Sequence, residues 1–429
     1  MSKNLSYQKF SLFHHVVETQ DQSFYVDTKQ ILNEINTSVD LGIKDLAETI
    51  YQVVNKPLEN IENVKDQEVS LTLTGGMDSR VILACLLKAG IKPNCFSFGT
   101  DQSKDVFFAN NLAKAFNLPF QNVVNRQPDK VWYYHWVKEV IKTDSGNSHL
   151  HRAHRLAAIA EHCEQYNPKI LFTGHMGGEG IRGLTYNNYF ASRFFKEVNE
   201  VEKEIKESSE SVLHDYFIRP KMINWEQLLQ QVQSLPYMQK DKEMNKFHFL
   251  YDLVANIHHA QDLRLYNSKV PHVVPVYLQE EYLKTLFASD FNFLSKPLGI
   301  FGKMTNPKVH TALIQEIYPD LLDYPLSNGY KPREYLKGLW YMIPATIYRK
   351  YKNKQRFEPT FSYGKWYVDF VKEHAAKISD EIWEIYDKDR YMKALYENEH
   401  KTDEGYWHKF SNPIFFDLVE KHKRGELEE

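Results

Sequence analysis

Between residues 68 and 174 the chain alternates apolar runs of strand length with runs of helix length: EVSLTLT, DSRVILACLLKA, NCFSFG, DVFFANNLAKAF, PFQNVV, DKVWYYHWVKEVIKT, AHRLAAIAEHCEQY and KILFTG. Strands that rejoin one sheet through a helix run parallel, and a parallel sheet needs helices on both faces to bury it. The alternation predicts an α/β domain over residues 61–190, with a parallel sheet covered on both faces. After residue 190 strand-like runs nearly vanish, and long charged or amphipathic stretches predict a mostly helical region over 191–429. Residues 1–60 hold short mixed segments and one amphipathic stretch, LGIKDLAETIYQVV (41–54), and are expected to be a lead-in without chemistry of their own.

A chain of 429 residues exceeds what one hydrophobic core normally organises, so two domains with extensions are expected. An aromatic share of 14% argues against disorder. The formal net charge of -3 exerts no long-range pull on nucleic acid, and Lys and Arg are scattered among Glu and Asp, so nucleic acid is not expected as a partner. Cys85, Cys95 and Cys163 lack Cys-x-x-Cys spacing, and two sit in apolar runs; they read as buried thiols of a cytoplasmic protein. MSKNLSYQKF has no apolar h-region, and no apolar run approaches the roughly 20 residues that span a bilayer. No membrane partner is expected.

The stretch VSLTLTGGMDSRVILACLLKAG (69–90) joins a buried strand to a helix through two glycines. Glycines permit the dihedrals and close approach of a turn that wraps phosphate, and the helix start near Asp78 or Ser79 points its N–H groups and positive dipole end into that turn. Thr74 and Ser79 add hydroxyl donors, and a carboxylate at Asp78 suits a phosphate site chiefly when Mg²⁺ intervenes. The plainer reading is a strand-to-helix turn with an Asp or Ser cap. Neither Gly-x-x-x-x-Gly-Lys-Ser/Thr nor Gly-x-Gly-x-x-Gly occurs, and GIFGKMT (299–305) has the wrong spacing. HLHRAH (149–154) places its histidines off a common helix face, which speaks against zinc. The segment TDSGNSHLHR around it is expected to face substrate.

LTLTGGMDSR (71–80) resembles the pyrophosphate loop Ser-Gly-Gly-x-Asp-Ser of ATP pyrophosphatases, and the arginine after Asp-Ser makes it most similar to the asparagine synthetase-like family. CFSFGTDQSKDVFFANNLAKAFNLPF (95–120) is similar to that family's strand, glycine, acidic residue and Ala-containing helix. ILFTGHMGGEGIRG (170–183) resembles its Ser-Gly-Glu-Gly-x-Asp-Glu segment after the last strand. The resemblance implies an ATP pyrophosphatase fold, with ATP and Mg²⁺ bound, and an amide ligase. A carboxylate would attack the α-phosphate while the loop grips the β- and γ-phosphates, and an amine or ammonia would then attack the acyl-adenylate. Leu73, Thr74, Gly75, Gly76, Asp78, Ser79, Phe98, Gly99, Thr173 and Gly174 fall at its nucleotide contacts, and Arg182 stands ready to neutralise pyrophosphate. Asp78 and Glu179 are the implied Mg²⁺ ligands. His175 stands where asparagine synthetases carry glutamate and β-lactam-forming relatives tyrosine, which implies a general base. Lys331, in KVHTALIQEIYPDLLDYPLSNGYKP (308–332), takes the place of the lysine that stabilises the transition state.

Three departures qualify the resemblance. Thr74 replaces the first serine, Gly178 stands where a second Mg²⁺-binding aspartate is usual, and VPVYLQ ends in Gln279 where the family has aspartate. The lead-in is too short for the glutaminase domain of asparagine synthetases, and position 2 is Ser2, so the nucleophile is expected to be free ammonia or an amine; a protein or peptide substrate stays open. Two other readings of the same loop are ATP-dependent modification of a tRNA base and a catalytically impaired protein that binds a nucleotide or a partner.

Overall fold

Five strands, β1 Val69–Thr72, β2 Asn94–Phe98, β3 Phe120–Val123, β4 Ile170–Thr173 and β5 His272–Pro275, form one sheet in the order β3-β2-β1-β4-β5. Every neighbouring pair is parallel. The computed structural model describes residues 26–35, 41–61, 66–182, 217–219, 222, 251, 254–289, 291, 307–352, 357–358, 365–397 and 404–427. GIFGKMT and the amphipathic stretches at 194–216 and 224–235 lie outside them.

The sheet is buried on both faces, as the α/β reading requires. Side chains alternate along each strand. Phe96 and Leu171 join Leu156, Ile159 and Leu265 on one face, whereas Cys95, Ile170 and Phe172 join the core of the other. Helices Lys130–Asp144, Ala153–Tyr166 and Ala260–Asn267 form one layer; Ile43–Asn60, Asp78–Lys88, Glu280–Phe287 and Lys308–Ile317 form the opposite one. Even the polar residue Ser70 in β1 is satisfied within the fold: its Oγ meets His162 Nε2 at 2.8 Å, and His162 Nδ1 meets Gln121 Oε1 at 2.7 Å. Burial pushes His162 down to about 3, so the ring is neutral at ordinary pH.

The sheet extends past the boundary set at residue 190. Strand β5 comes from residues 272–275, where the sequence shows only the short run PHVVPVYL between helical segments. This run stands outside the strand–helix alternation that marks β1 to β4, and the pairing of β5 with β4 is what makes it a strand. The lead-in is also part of the core, since Leu46, Ile50, Val53 and Val54 of helix Ile43–Asn60 are buried against Asp78–Lys88 and Lys308–Ile317. Cys85 and Cys95 are buried free thiols, Cys163 is half-buried, and no helix among the described residues is long and apolar enough to cross a membrane.

Part of the segment TDSGNSHLHR packs inward, while its last residue, Arg152, lies beside Asp262. Ser148, His149 and His151 are buried; His149 Nε2 lies 3.1 Å from Asn412 Oδ1 and His151 Nε2 lies 3.0 Å from Ser411 Oγ, on helix Glu404–Lys423. These histidines fasten the C-terminal helix to the α/β layer.

Strand order places a switch point between β1 and β4: the chain leaves β1 toward β2 and β3, while β5 lies beyond β4. In open α/β sheets the crevice outside the carboxyl ends of such a pair is where ligands bind. The loops after β1 and β4 open into it.

Candidate active site

The first loop begins where Leu73, fully buried, donates its N–H to Phe96 O at 2.9 Å, carrying the sheet ladder one residue past β1. Thr74 and Ser79 then close the turn: Thr74 N donates to Ser79 Oγ at 3.2 Å and Gly76 N donates to Thr74 Oγ1 at 3.2 Å. Helix Asp78–Lys88 starts at Met77 with no side-chain cap, so the Asp or Ser cap of the plainer reading is not formed. An uncapped helix start aimed into a polar turn is an anion seat. Gly75 is needed for contact, because a Cβ there would lie 2.8 Å from Ser327 Cβ and 3.0 Å from Phe108 Cβ.

Ser327 also donates its N–H to Gly75 O at 2.8 Å, which docks the segment leading to Lys331 on the first loop. The arginine of Asp-Ser-Arg is the strut behind this docking. Arg80 is fully buried; Nη1 donates to Tyr324 O at 2.5 Å and Leu321 O at 3.4 Å, and Nη2 donates to Pro325 O at 2.9 Å. Burial pushes its guanidinium down to about 9, leaving it charged at neutral pH. Lys331 is exposed, and its backbone N–H donates to Glu334 Oε2 at 2.7 Å at the start of the short helix Pro332–Tyr335.

The second loop, Gly174 to Gly177, folds directly onto the first. A Cβ on Gly174 would meet Ser79 N at 3.1 Å, and one on Gly177 would meet Asp78 Cβ and Tyr277 Cε2 at 2.7 Å. Met176 takes a left-handed φ of 66° to make this turn, the kind of backbone strain that ligand loops hold. Residues read as a loop then continue as helix Gly177–Arg182, which carries Glu179 in its first turn; the Arg182 side chain lies outside the described residues. Gly178 has no side chain to add to the site. Asp78 Oδ1 lies 2.9 Å from the buried His310 Nε2, an ion-pair contact when the imidazole is protonated, and Tyr277 OH donates to Asp78 O at 2.8 Å.

Tyr282 is buried, and its hydroxyl has no hydrogen-bond partner among the described residues. Burial first, then the charges of Asp78 and Glu179, push its ionisation up. Both carboxylates are thus near enough to Tyr282 for their charge to be felt there. Thr173 Oγ1, at the end of β4, is a second buried oxygen without a partner among the described residues. Such atoms carry a cost unless something not in the chain completes them. Among the described residues no three His, Cys, Asp or Glu side chains converge as a metal cage. Two carboxylates beside an uncapped helix start would suit Mg²⁺, which binds through one or two carboxylates and completes its shell with phosphate oxygens and water.

The other end of the crevice is built from charges. His175 Nε2 lies 3.4 Å from Asp262 Oδ2, and Asp262 is also approached by Arg152 Nη1 at 3.3 Å and Arg155 Nε at 3.6 Å. Burial works to raise the Asp262 carboxyl, yet Arg152, Arg155 and His175 together hold it well below the usual carboxylate range. Burial and then Arg155 push His154 well below its ordinary value, so it is neutral. Arg155 Cζ stacks 4.3 Å over the Phe98 ring, while the His175 ring meets His259 edge-on at 5.1 Å and Tyr266 at 5.9 Å. His259 closes a π-helical turn, Val254–His259, a deviation common at functional sites.

The structure thus gathers Leu73 to Ser79, Thr173 to His175 and Glu179 at one crevice, with Phe98 and Gly99 at the end of β2 next to it. Gly99 has a φ of 118°, a glycine conformation, and donates its N–H to Val123 O. Reasoning from sequence missed Asp262, Arg152, Arg155, His310, Tyr282 and Asp105. Asp105 accepts the Gly75 N–H, and burial raises its carboxyl. It could have been noticed as the acidic residue opening the helix after β2, whereas Asp262 and His310 carry no local signal. No protein-family model matches this chain, and no curated protein matches it significantly.

Proposed function

We propose that the protein is an ATP-dependent, AMP-forming amide ligase of the asparagine synthetase-like kind, acting in the cytoplasm. The observation that carries this reading is the closure of the two glycine loops on each other, Gly174 and Gly177 against Ser79 and Asp78, around an uncapped helix start. The first loop seats the β- and γ-phosphates of ATP. Leu73, Phe98, Gly99, Thr173 and Gly174 hold the rest of the nucleotide, and the unpartnered Thr173 Oγ1 gains its hydrogen bond there. Mg²⁺ on Asp78 and Glu179 would neutralise charge on the phosphates. In this reading Lys331 would add positive charge where pyrophosphate leaves, and Arg182, whose side chain lies outside the described residues, is the other candidate for that role.

The carboxylate oxygen of the substrate bonds to the α-phosphorus as the bond to the bridging oxygen breaks and pyrophosphate departs. An amine or ammonia then adds to the acyl carbon, AMP leaves, and one amine proton must be removed. Asp262 can only accept, so it keeps the His175 proton on Nε2 and leaves the lone pair on Nδ1. Nδ1 is buried without a partner among the described residues and is the base in this reading. Asp262 fixes the tautomer and is itself held ionised by Arg152 and Arg155.

The test is carboxylate-dependent exchange of labelled pyrophosphate into ATP by the purified chain with Mg²⁺, across a panel of carboxylic acids and acidic peptides. Exchange with one class, followed by AMP release on adding ammonium or an amine, is the expected result. ADP without AMP overturns it. Tight binding of α,β-methylene-ATP with no exchange for any carboxylate favours the catalytically impaired reading, which Gly178 motivates.

A further inference from the structure

Helix Lys308–Ile317 packs on helices Ile43–Asn60 and Asp78–Lys88 and buries His310, Thr311, Leu313, Ile314 and Ile317. His310 is fully buried. An imidazole in that place gives up its water, a loss that an apolar side chain there would not suffer, so its presence calls for a polar contact. The contact is with the first loop: Nε2 lies 2.9 Å from Asp78 Oδ1.

We infer that His310 is a positioning residue for the Asp78 carboxylate, turning it to hold a divalent cation together with Glu179. Three observations support this. First, the backbone of Asp78 is fixed by other groups, since its carbonyl accepts from Tyr277 OH at 2.8 Å and a Cβ on Gly177 would meet Asp78 Cβ at 2.7 Å. What is left to set is the rotation of the carboxyl about its side-chain bonds, and a group at Oδ1 sets it. Second, the Asp78 side chain is 25% exposed whereas that of His310 is 0%. The ring therefore lies behind the carboxylate and out of reach of a substrate, while the carboxylate is not sealed from solvent. Third, Glu179 stands in the first turn of the helix that begins at Gly177, against Asp78. A carboxylate only accepts, so the ring proton belongs on Nε2 in the neutral and the charged imidazole alike, and the role needs no change of charge. Outer-shell donors of this kind orient the carboxylates that bind metal. The inference rests on the ligase reading in one respect, the assignment of Mg²⁺ to Asp78 and Glu179.

The experiment is calorimetric titration of the full chain with α,β-methylene-ATP, once with Mg²⁺ and once with EDTA, for wild type, His310→Phe, His310→Leu and His310→Gln. Wild type is expected to bind more tightly with Mg²⁺. His310→Phe and His310→Leu lack the donor and should lose about tenfold or more of the affinity in Mg²⁺ and none of the affinity in EDTA. His310→Gln can place an amide N–H near the position of Nε2 and should recover most of that loss. Melting curves identify which apolar variant folds like wild type, and the comparison is read on that one; if neither does, His310→Gln is read against wild type directly. An apolar variant that keeps the full Mg²⁺-dependent gain overturns the inference, as does an equal loss in EDTA, which a merely structural role would produce. So does tighter binding with Mg²⁺ than wild type shows, or His310→Gln without the Mg²⁺-dependent gain. Each of these leaves the ligase reading standing. Wild type that binds the analogue equally with Mg²⁺ and with EDTA removes the metal from that reading, and the inference falls with it.

Discussion

The two ends of the crevice are held by different forces. Around Asp78 the geometry is set by backbone: glycines permit close approach, an uncapped helix start supplies donors, and Arg80 ties down the neighbouring segment through three carbonyls. Around Asp262 it is set by side-chain charge, with one buried carboxylate facing two guanidiniums and an imidazole at 3.3 to 3.6 Å. A backbone-built seat suits a ligand that brings its own charge. A charge-built one suits chemistry in which a proton must move.

The largest expected effect follows from removing the centre of the charged end. Asp262→Ala leaves Arg152 and Arg155 close together without their carboxylate, and breaking a buried ion network in this way costs about 3–5 kcal/mol. Urea unfolding should show a lower midpoint at unchanged slope. Because the folded-state ionisation of Asp262 is depressed, its contribution is complete above roughly pH 4 and disappears as pH falls toward the folded value. A loss no larger than that of an exposed carboxylate would break the comparison, since Asp262 would then not organise its end.

At the backbone-built end the corresponding substitution is Gly177→Ala. The added Cβ meets Asp78 Cβ and Tyr277 Cε2 at 2.7 Å, one of them on a helix and neither at the end of a flexible chain. Forcing a methyl group into such a contact costs about 1–3 kcal/mol. Calorimetry with α,β-methylene-ATP should show a larger proportional loss in binding than the melting temperature shows in stability, because the strain falls on the loop proposed to seat the ligand. Wild-type nucleotide affinity in this variant would mean that the closure of the loops does not shape the seat.

These two ends were not equally legible in the sequence. The Asp78 end could be read because a turn built from backbone needs glycine at fixed spacing, so TGGMDSR and TGHMGGEG advertise it. His175 could be singled out because it lies within one of those loops. Its partners could not: Asp262 sits in an ordinary amphipathic helix, Arg152 lies within a histidine run, and Arg155 is one of the polar residues of the helical run AHRLAAIAEHCEQY. The sheet shows the same limit. Strands β1 to β4 fall in a regular alternation with helical runs, while β5 lies between two helical stretches outside that alternation and is defined by its pairing with β4. Ion networks and edge strands are products of tertiary contact, and local pattern carries little trace of them.

The pH response separates the ends further. His154 is held neutral mainly by burial, with Arg155 beside it, so its folded-state ionisation lies well below the unfolded one. Below about pH 6.5 the unfolded chain takes up a proton that the native site refuses, and stability falls by about 1.4 kcal/mol per pH unit for this group. His154→Phe should reduce the slope of unfolding free energy against pH by one proton between about pH 6 and pH 5. An unchanged slope would show that His154 is protonated in the fold, and the charged end would then contain one more positive charge than this comparison allows.

Tyr277→Phe has the smallest expected effect and bears on redundancy. The hydroxyl donates to Asp78 O at 2.8 Å, while the ring packs edge-on against Tyr282 at 5.2 Å, and Phe keeps the ring. Asp78 is also held through Gly177 and the His310 contact, so losing one neutral hydrogen bond should cost about 0.5–1.5 kcal/mol. Nucleotide affinity should change by less than about threefold, since backbone rather than a side-chain hydroxyl fixes the helix start. A loss comparable to that of Gly177→Ala would make Tyr277 a principal support of the loop. The end around Asp78 would then depend on side-chain hydrogen bonding as strongly as the end around Asp262 depends on charge.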